Sequence, residues 1–283
     1  MTLDIDHLRQ WVGKSEVLAE TLAPFPSNAL AATLDRDDPV YGSGSALPPL
    51  WHWLHFLPVA PMSAVGPDGH PERGAFLPPV PLPRRMWAGS RLNFIKPLMI
   101  GETVTRTSTV KSVEHKAGRT GDLVFVTVRH VLSGASGVAI EEEHDIVYRG
   151  VAAPGTVAPL PVQASVNEDW SRVVHPDPVL LFRYSALTFN SHRIHYDQPY
   201  VTDVEGYPGL VVHGPLIATL LLDALRREKP DARVRSFTFK AVSPLFDVAD
   251  FNVCGRMVDA GKAHLWARNS TGGLAMDATA EII

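Results

Sequence analysis

Residues 137–147 read GVAIEEEHDIV, and residues 273–283 read GLAMDATAEII. Glycine falls on glycine, Ala139 on Ala275, Glu141 on Asp277, Asp145 on Glu281 and Ile146 on Ile282, each 136 residues apart in a chain of 283. A second echo lies upstream. Leu92, Phe94 and Lys96 alternate into Pro97-Leu98, as Phe239, Ala241 and Ser243 alternate into Pro244-Leu245, 147 residues later. A third is helical, with PSNALAATLD at Pro26–Asp35 resembling PLIATLLLD at Pro215–Asp223. Three echoes in the same order point to two copies of one unit, which restricts the fold to an architecture built twice.

Each unit reads as one helix followed by a run of strands. Pro215 suits a first helical turn, where its missing N–H costs nothing. Ile217, Leu220, Leu221, Leu222 and Leu225 then leave almost no polar face, so this helix is buried on most sides. Arg226, Arg227, Glu228 and Lys229 read as its wet end. Strand-like runs follow at Ser236–Val242, Phe251–Val258, Ala263–Asn269 and Leu274–Ile283, and their first-half counterparts are Arg91–Lys96, Glu102–Val113, Asp122–Ser133 and Val138–Tyr148. LVFVTVRH at Leu123–His130 is rich in the β-branched and aromatic residues that strands favour. A long antiparallel sheet wrapped around a central helix is the hot-dog architecture, so the expected fold is α+β, a double hot dog.

The divisions expected are a first, non-catalytic copy over 1–150, a linker over 151–173 marked by Pro154, Pro159 and Pro161, and a second copy over 174–283 that carries the candidate chemistry. A Pro-rich insertion over 39–90 interrupts the first copy and carries WHWLHF at Trp51–Phe56, aromatics that either cover a sheet face or serve a function. Apolar residues make up 45% of the chain, enough for a real core. The net charge of −4 and the lack of a Lys/Arg run argue against nucleic acid. One cysteine, Cys254, excludes a disulfide scaffold. No apolar run spans a membrane and MTLDIDHLRQW is no signal peptide, so the expected location is the cytoplasm.

Candidate chemistry concentrates before the second helix. Tyr184–Gly214 packs Asn190, His192, Arg193, His195 and Asp197 into eight residues and ends in His213-Gly214. A helix N-terminus presents free N–H groups and the positive end of its dipole, which stabilise an oxyanion such as an enolate formed from an α,β-unsaturated thioester. A nearby histidine moves the proton. His192, His195 and His213 could also hold a metal, but no HExxH or cysteine partner accompanies them, and no metal or separate cofactor is expected. G-x-S-x-G, Walker A and G-x-G-x-x-G signatures are absent from the sequence.

YSALTFNSHRIHYDQPY followed by EGYPGLVVHGPL resembles the MaoC-like, R-specific enoyl-CoA hydratase and dehydratase family. PRRMWAGSRLNFIKPL, GRTGDLVFVTVRH and EEEHDIVYR are similar to the N-terminal half of its mesaconyl-CoA, 3-methylfumaryl-CoA and itaconyl-CoA hydratase branch. The resemblance implies reversible hydration of a short branched dicarboxylic enoyl-CoA, with coenzyme A entering as part of the substrate. His195 ends the family's G-D-x-N-P-[LI]-H motif, whose Asp falls on Asn190 and whose Asn falls on His192. His195 is thus the implied proton carrier, Asn190 the group holding water or carbonyl, and Gly214 the oxyanion donor. Implied substrate contacts are His192, Arg193, His213, Tyr184, Arg91 and Lys240; Arg84, Arg85, Lys96 and Arg183 are further candidates for phosphate or carboxylate binding. A hot-dog acyl-CoA thioesterase and a non-catalytic acyl-CoA binder are the alternatives. The partner expected is the small-molecule acyl-CoA, with at most a second copy of the chain.

Overall fold

Alternation of β-branched and polar residues makes the strands, and glycine-marked turns make the hairpins. The computed structural model describes residues 3–118, 121–150 and 160–283. The strands are β1 (Ser15–Thr21), β2 (Arg84–Phe94), β3 (Thr103–Gly118), β4 (Gly121–Gly134) and β5 (Gly137–Arg149), then β6 (Trp170–Val174), β7 (Val234–Ala241), β8 (Phe251–Asp259), β9 (Lys262–Asn269) and β10 (Leu274–Ile282). They form one sheet in the order β1-β3-β4-β5-β2-β7-β10-β9-β8-β6. Read from its two ends, the sheet gives the same order twice, with every strand number raised by five. The halves meet where β2 pairs antiparallel with β7. This is the expected double hot dog.

The strand register carries the repeat found in the sequence. Phe94 lies opposite Ile140, and Ala241 opposite Met276. Positions 94 and 241 are separated by the 147-residue offset, and positions 140 and 276 by the 136-residue offset, so residues equivalent in sequence pair with each other in space. The helical echo is corrected. The helices are α1 (Ile5–Arg9), α2 (Pro24–Thr33), α3 (Pro178–Leu187) and α4 (Gly214–Glu228). Both α2 and α3 follow an edge strand, begin with proline and pack on each other. The counterpart of α2 is therefore α3. A short apolar helix with proline at its start looks alike in either role, and only the strand before it settles which it is.

Helix α4 buries Leu216–Leu225 against β6, β8, β9 and β10 and has no α-helical counterpart among the described residues of the first half. Trp51–Leu54, a single 3-10 turn, covers the inner face there: His52 Nε2 and the Trp53 indole N–H reach Glu142 of β5 at 3.2 and 3.1 Å. WHWLHF is thus core, with Trp51, Leu54 and Phe56 buried. The end of α4 is exposed at Arg227, Glu228 and Lys229, as expected, but it is also a junction. Asp223, buried, is paired with Arg36 near α2, Arg172 of β6 and Arg227, while Arg226 lies over Trp51.

Two expected boundaries also move. The insertion gives way to β2 at Arg84, before residue 90. The linker expected over 151–173 already contains most of β6, whose Trp170–Val174 pairs with β8, and its Val162 carbonyl accepts the Leu274 N–H of β10, which ties it to the second half earlier still. Residues 151–159, with Pro154 and Pro159, lie outside the described residues. Among the described residues, no helix is long and apolar enough to cross a membrane.

Candidate active site

The segment after α3 is folded by its own polar groups. Phe189 takes a left-handed φ of 47° and turns the chain out of the helix. The Asn190 side-chain oxygen then accepts the His192 N–H at 3.0 Å, an Asx turn. Arg193–His195 form one 3-10 turn, which sets the rings of His192 and His195 perpendicular with centroids 5.4 Å apart. His195 Nδ1 lies 2.7 Å from the Val211 carbonyl. A carbonyl only accepts, so Nδ1 carries the proton and Nε2 keeps its lone pair. On the other side, His195 stacks on His213 with centroids 3.7 Å apart and planes 18° apart. His213 precedes α4 as its N-cap and places Nε2 2.8 Å from the Ser185 hydroxyl.

The adjoining N–H groups are open. Among the described residues the Gly214 N–H has no partner, and Pro215 brings none of its own. A Cβ built on Gly214 would meet nothing within 4 Å, so a ligand atom can approach this backbone. The start of α4 therefore offers a donor and a positive dipole end beside the His195–His213 stack.

The first half also enters the site. The turn at Pro67–His70, inside the insertion, docks on the segment: the Arg193 N–H donates to the Asp68 carbonyl at 2.9 Å, Arg193 Nη1 to the Pro67 carbonyl at 3.2 Å and the Ser191 hydroxyl to the Gly69 carbonyl at 2.5 Å. The Asp68 carboxylate accepts the His70 N–H at 3.0 Å and faces His70 Nδ1 at 3.1 Å. His70 in turn lies 3.9 Å from His192, centroid to centroid. Four imidazoles thus stand in file, His70–His192–His195–His213, with Asp68 at one end and Ser185 at the other. Asp68, His70 and His192 have ligand atoms all within 4.8 Å and could hold a metal ion, a grouping the sequence reading did not anticipate.

Burial sets the charge state of this file. It pushes His195 down to about 4, partly offset by the Val211 carbonyl, and His192 down to about 2 with help from His70 and His195. His213 lies well below the usual histidine range and His70 below it, again chiefly through burial. The file is therefore neutral at neutral pH, and His195 Nε2 is available as a base. Burial alone would raise the Asp68 carboxyl, but its bonds from His70 hold it below the usual carboxylate range. Arg85, opposite Tyr148 in the β2–β5 pairing, has no ion-pair partner among the described residues, and its charge helps keep His70, His192 and His144 neutral. Arg73, also close to Asp68 and Arg85, donates among the described residues to the carbonyls of Val80, Leu82 and Pro83.

The remaining candidates fall elsewhere. Tyr184 is buried behind the site, edge-on to His213 at 5.1 Å. The Arg193 guanidinium is engaged by Asp197 and lies over the Tyr200 ring. Arg91 lies on the outer face of the sheet, paired with Glu143 and Asp145. Lys240 is exposed on β7, opposite Gly89 and Asp277. Asp68, Gly69 and His70 were missed. Their signal in the sequence was only an Asp-Gly turn followed by histidine, 120 residues from the segment they touch.

Comparison with known proteins follows the same geography. A family model described as hydroxyacyl-thioester dehydratase type 2 matches residues 50–247, which include the insertion turn, the histidine segment and α4. The mesaconyl-C(4)-CoA hydratase of Chloroflexus aurantiacus is 46% identical over 273 residues, 96% of each chain. The mitochondrial hydroxyacyl-thioester dehydratase type 2 of Schizosaccharomyces pombe is 30% identical over 271 residues, 84% of this chain and 89% of the relative. A MaoC-like dehydratase from Phytophthora capsici superposes over 99% of both chains with a TM-score of 0.70 at 16% identity, a likeness of fold.

Proposed function

The chain belongs to the hydroxyacyl-thioester dehydratase type 2 family, and we propose on that footing that it adds water reversibly to a short, branched, dicarboxylic enoyl-CoA. The observation that carries the reading is His195, with Nδ1–H fixed on the Val211 carbonyl, Nε2 without a hydrogen-bond partner among the described residues, and the ring stacked on His213, the residue before the open Gly214 N–H. In the hydration direction His195 Nε2 takes a proton from water as the water oxygen bonds to the β-carbon. The double-bond electrons move onto the thioester oxygen, where the Gly214 N–H and the α4 dipole hold the enolate. As the carbonyl re-forms, the proton on His195 passes to the α-carbon. Water has been added and the imidazole is restored. Dehydration runs the same steps backwards. Asn190, whose side-chain oxygen is occupied by the His192 N–H, keeps its amide NH₂ for the water or the carbonyl.

The acyl class rests on charge. Arg85 and Arg73 have no ion-pair partner among the described residues and lie near His70, His192 and the buried Tyr148 hydroxyl, an environment short of one anion. A free carboxylate on the acyl group supplies it, as guanidinium groups bind carboxylates well. The substrate named for the Chloroflexus relative is of this class. Coenzyme A comes and goes with the substrate rather than as a resident cofactor, and we place the reaction in the cytoplasm. The test is a panel of enoyl-CoAs followed by absorbance of the conjugated thioester and by free thiol. Signal loss without thiol release, fastest on mesaconyl-type thioesters, is expected. Thiol release at the rate of signal loss would make the protein a thioesterase, and neither signal would leave a binder.

A further inference from the structure

We propose that Asp68 and His70, carried by the insertion of the first half, belong to the acid–base machinery of the second: Asp68 fixes His70 and supplies, at the end of the imidazole file, the carboxylate charge that position 190 lacks. The inference deepens the hydration reading and rests on it. Asn190 cannot hold a negative charge. Every proton that His195 removes from water makes a cation in a place where burial keeps four imidazoles neutral. The carboxylate in contact with that file is Asp68, through His70 Nδ1 at 3.1 Å and then the tilted ring contact with His192, 3.9 Å between centroids.

The docking of the turn is specific. A Cβ on Gly69 would lie 1.8 Å from the Ser191 carbonyl oxygen, so the turn approaches the segment as closely as backbone allows. Asp68 faces His70 on its own turn, His192 across from it and the charge of Arg73, and it also acts on Tyr200, while Arg85 acts on His70 and His192. The arginines oppose a protonated imidazole and Asp68 favours one. Asp68 is a positioning residue, acting on His195 through His70 and His192. It makes the base stronger without touching the water.

The test compares wild type, Asp68→Asn and Asp68→Asn/Asn190→Asp in kcat and KM across pH. Asp68→Asn keeps an oxygen for the His70 N–H, so the turn survives. We expect kcat to fall about 10- to 100-fold, within the range for general acid–base defects, with KM changed less than about threefold. The acid limb of kcat should move to lower pH, since a base without its counter-charge loses its proton affinity. The double variant should recover at least part of the lost kcat. A purely structural Asp68 would lower kcat without moving the limb, and the double variant would gain nothing; either result overturns the proposal, as does full activity in Asp68→Asn. Should that variant misfold, His70→Gln, which spares the backbone bond to Asp68, must show the same loss, and wild-type kcat there refutes it. Chelator inactivation of wild type reversed by a divalent metal would make the three residues a metal centre and also overturn it. Inactivity of the wild type on every enoyl-CoA, by contrast, would sink the hydration reading itself.

Discussion

Replacing Gly69 by alanine should separate the two halves of the site without unfolding the protein. Gly69 has a φ of +88°, where an L-residue costs about 1–2 kcal/mol. The new methyl would stand 1.8 Å from the Ser191 carbonyl oxygen and 2.8 Å from its carbon, both backbone atoms, so turn and segment must part by more than an ångström. That movement stretches the Ser191–Gly69 and Arg193–Asp68 hydrogen bonds, worth about 1 kcal/mol each, for a local cost near 3–4 kcal/mol. The turn is peripheral to the sheet and will lift off before the core yields. His70 then leaves His192, and a displacement of that size costs on the order of 10²-fold in rate. The assay is kcat/KM by enoyl absorbance, with thermal unfolding alongside and Gly42→Ala as control, since a Cβ on Gly42 meets nothing within 4 Å. A Gly69→Ala protein within twofold of wild type would refute the reasoning.

Three further outcomes follow from the same geometry. Arg85→Met should lower kcat/KM on a dicarboxylic enoyl-CoA by about 10- to 100-fold, the loss of one charged hydrogen-bonded pair, and leave crotonyl-CoA nearly untouched; equal losses on both would remove the carboxylate assignment. Asp223→Asn leaves three guanidinium groups around a buried amide and should cost about 3–5 kcal/mol, read as a melting point lower by roughly 6–15 °C; an unchanged melting point contradicts it. Stability should fall with acid from about pH 6.5, because unfolded histidines gain protons that the buried ones refuse. For His195, at about 4 when folded, the loss is about 2 kcal/mol at pH 5 and levels off below pH 4; a urea midpoint equal at pH 7.5 and pH 5 would count against the neutral file.

The sheet was legible because strand registers preserve sequence offsets. The pairs Phe94–Ile140 and Ala241–Met276 reproduce separations visible in the bare sequence. His195, His213 and Gly214 were legible for a different reason, since a histidine run into a helix start is contiguous. What the sequence hid is non-local. Helix α2 resembles α4 in composition but stands where α3 stands, and a tryptophan turn replaces the central helix of the first half. Arg91 read as a ligand-binding cation, yet Glu143 and Asp145, two strand-alternate residues on the neighbouring β5, neutralise it on the outer face. Asp68 and His70 reach the histidine segment across about 120 residues of chain, and no local pattern announces such an approach.

The central claim is that His195 Nε2 moves the proton in hydration of an enoyl thioester. The direct measurement is kcat of His195→Ala against wild type on a mesaconyl-type thioester, with folding verified by circular dichroism. Loss of a general acid–base should lower kcat by about 10²–10⁴-fold while substrate binding changes little. A well-folded His195→Ala protein that hydrates at the wild-type rate would contradict the account.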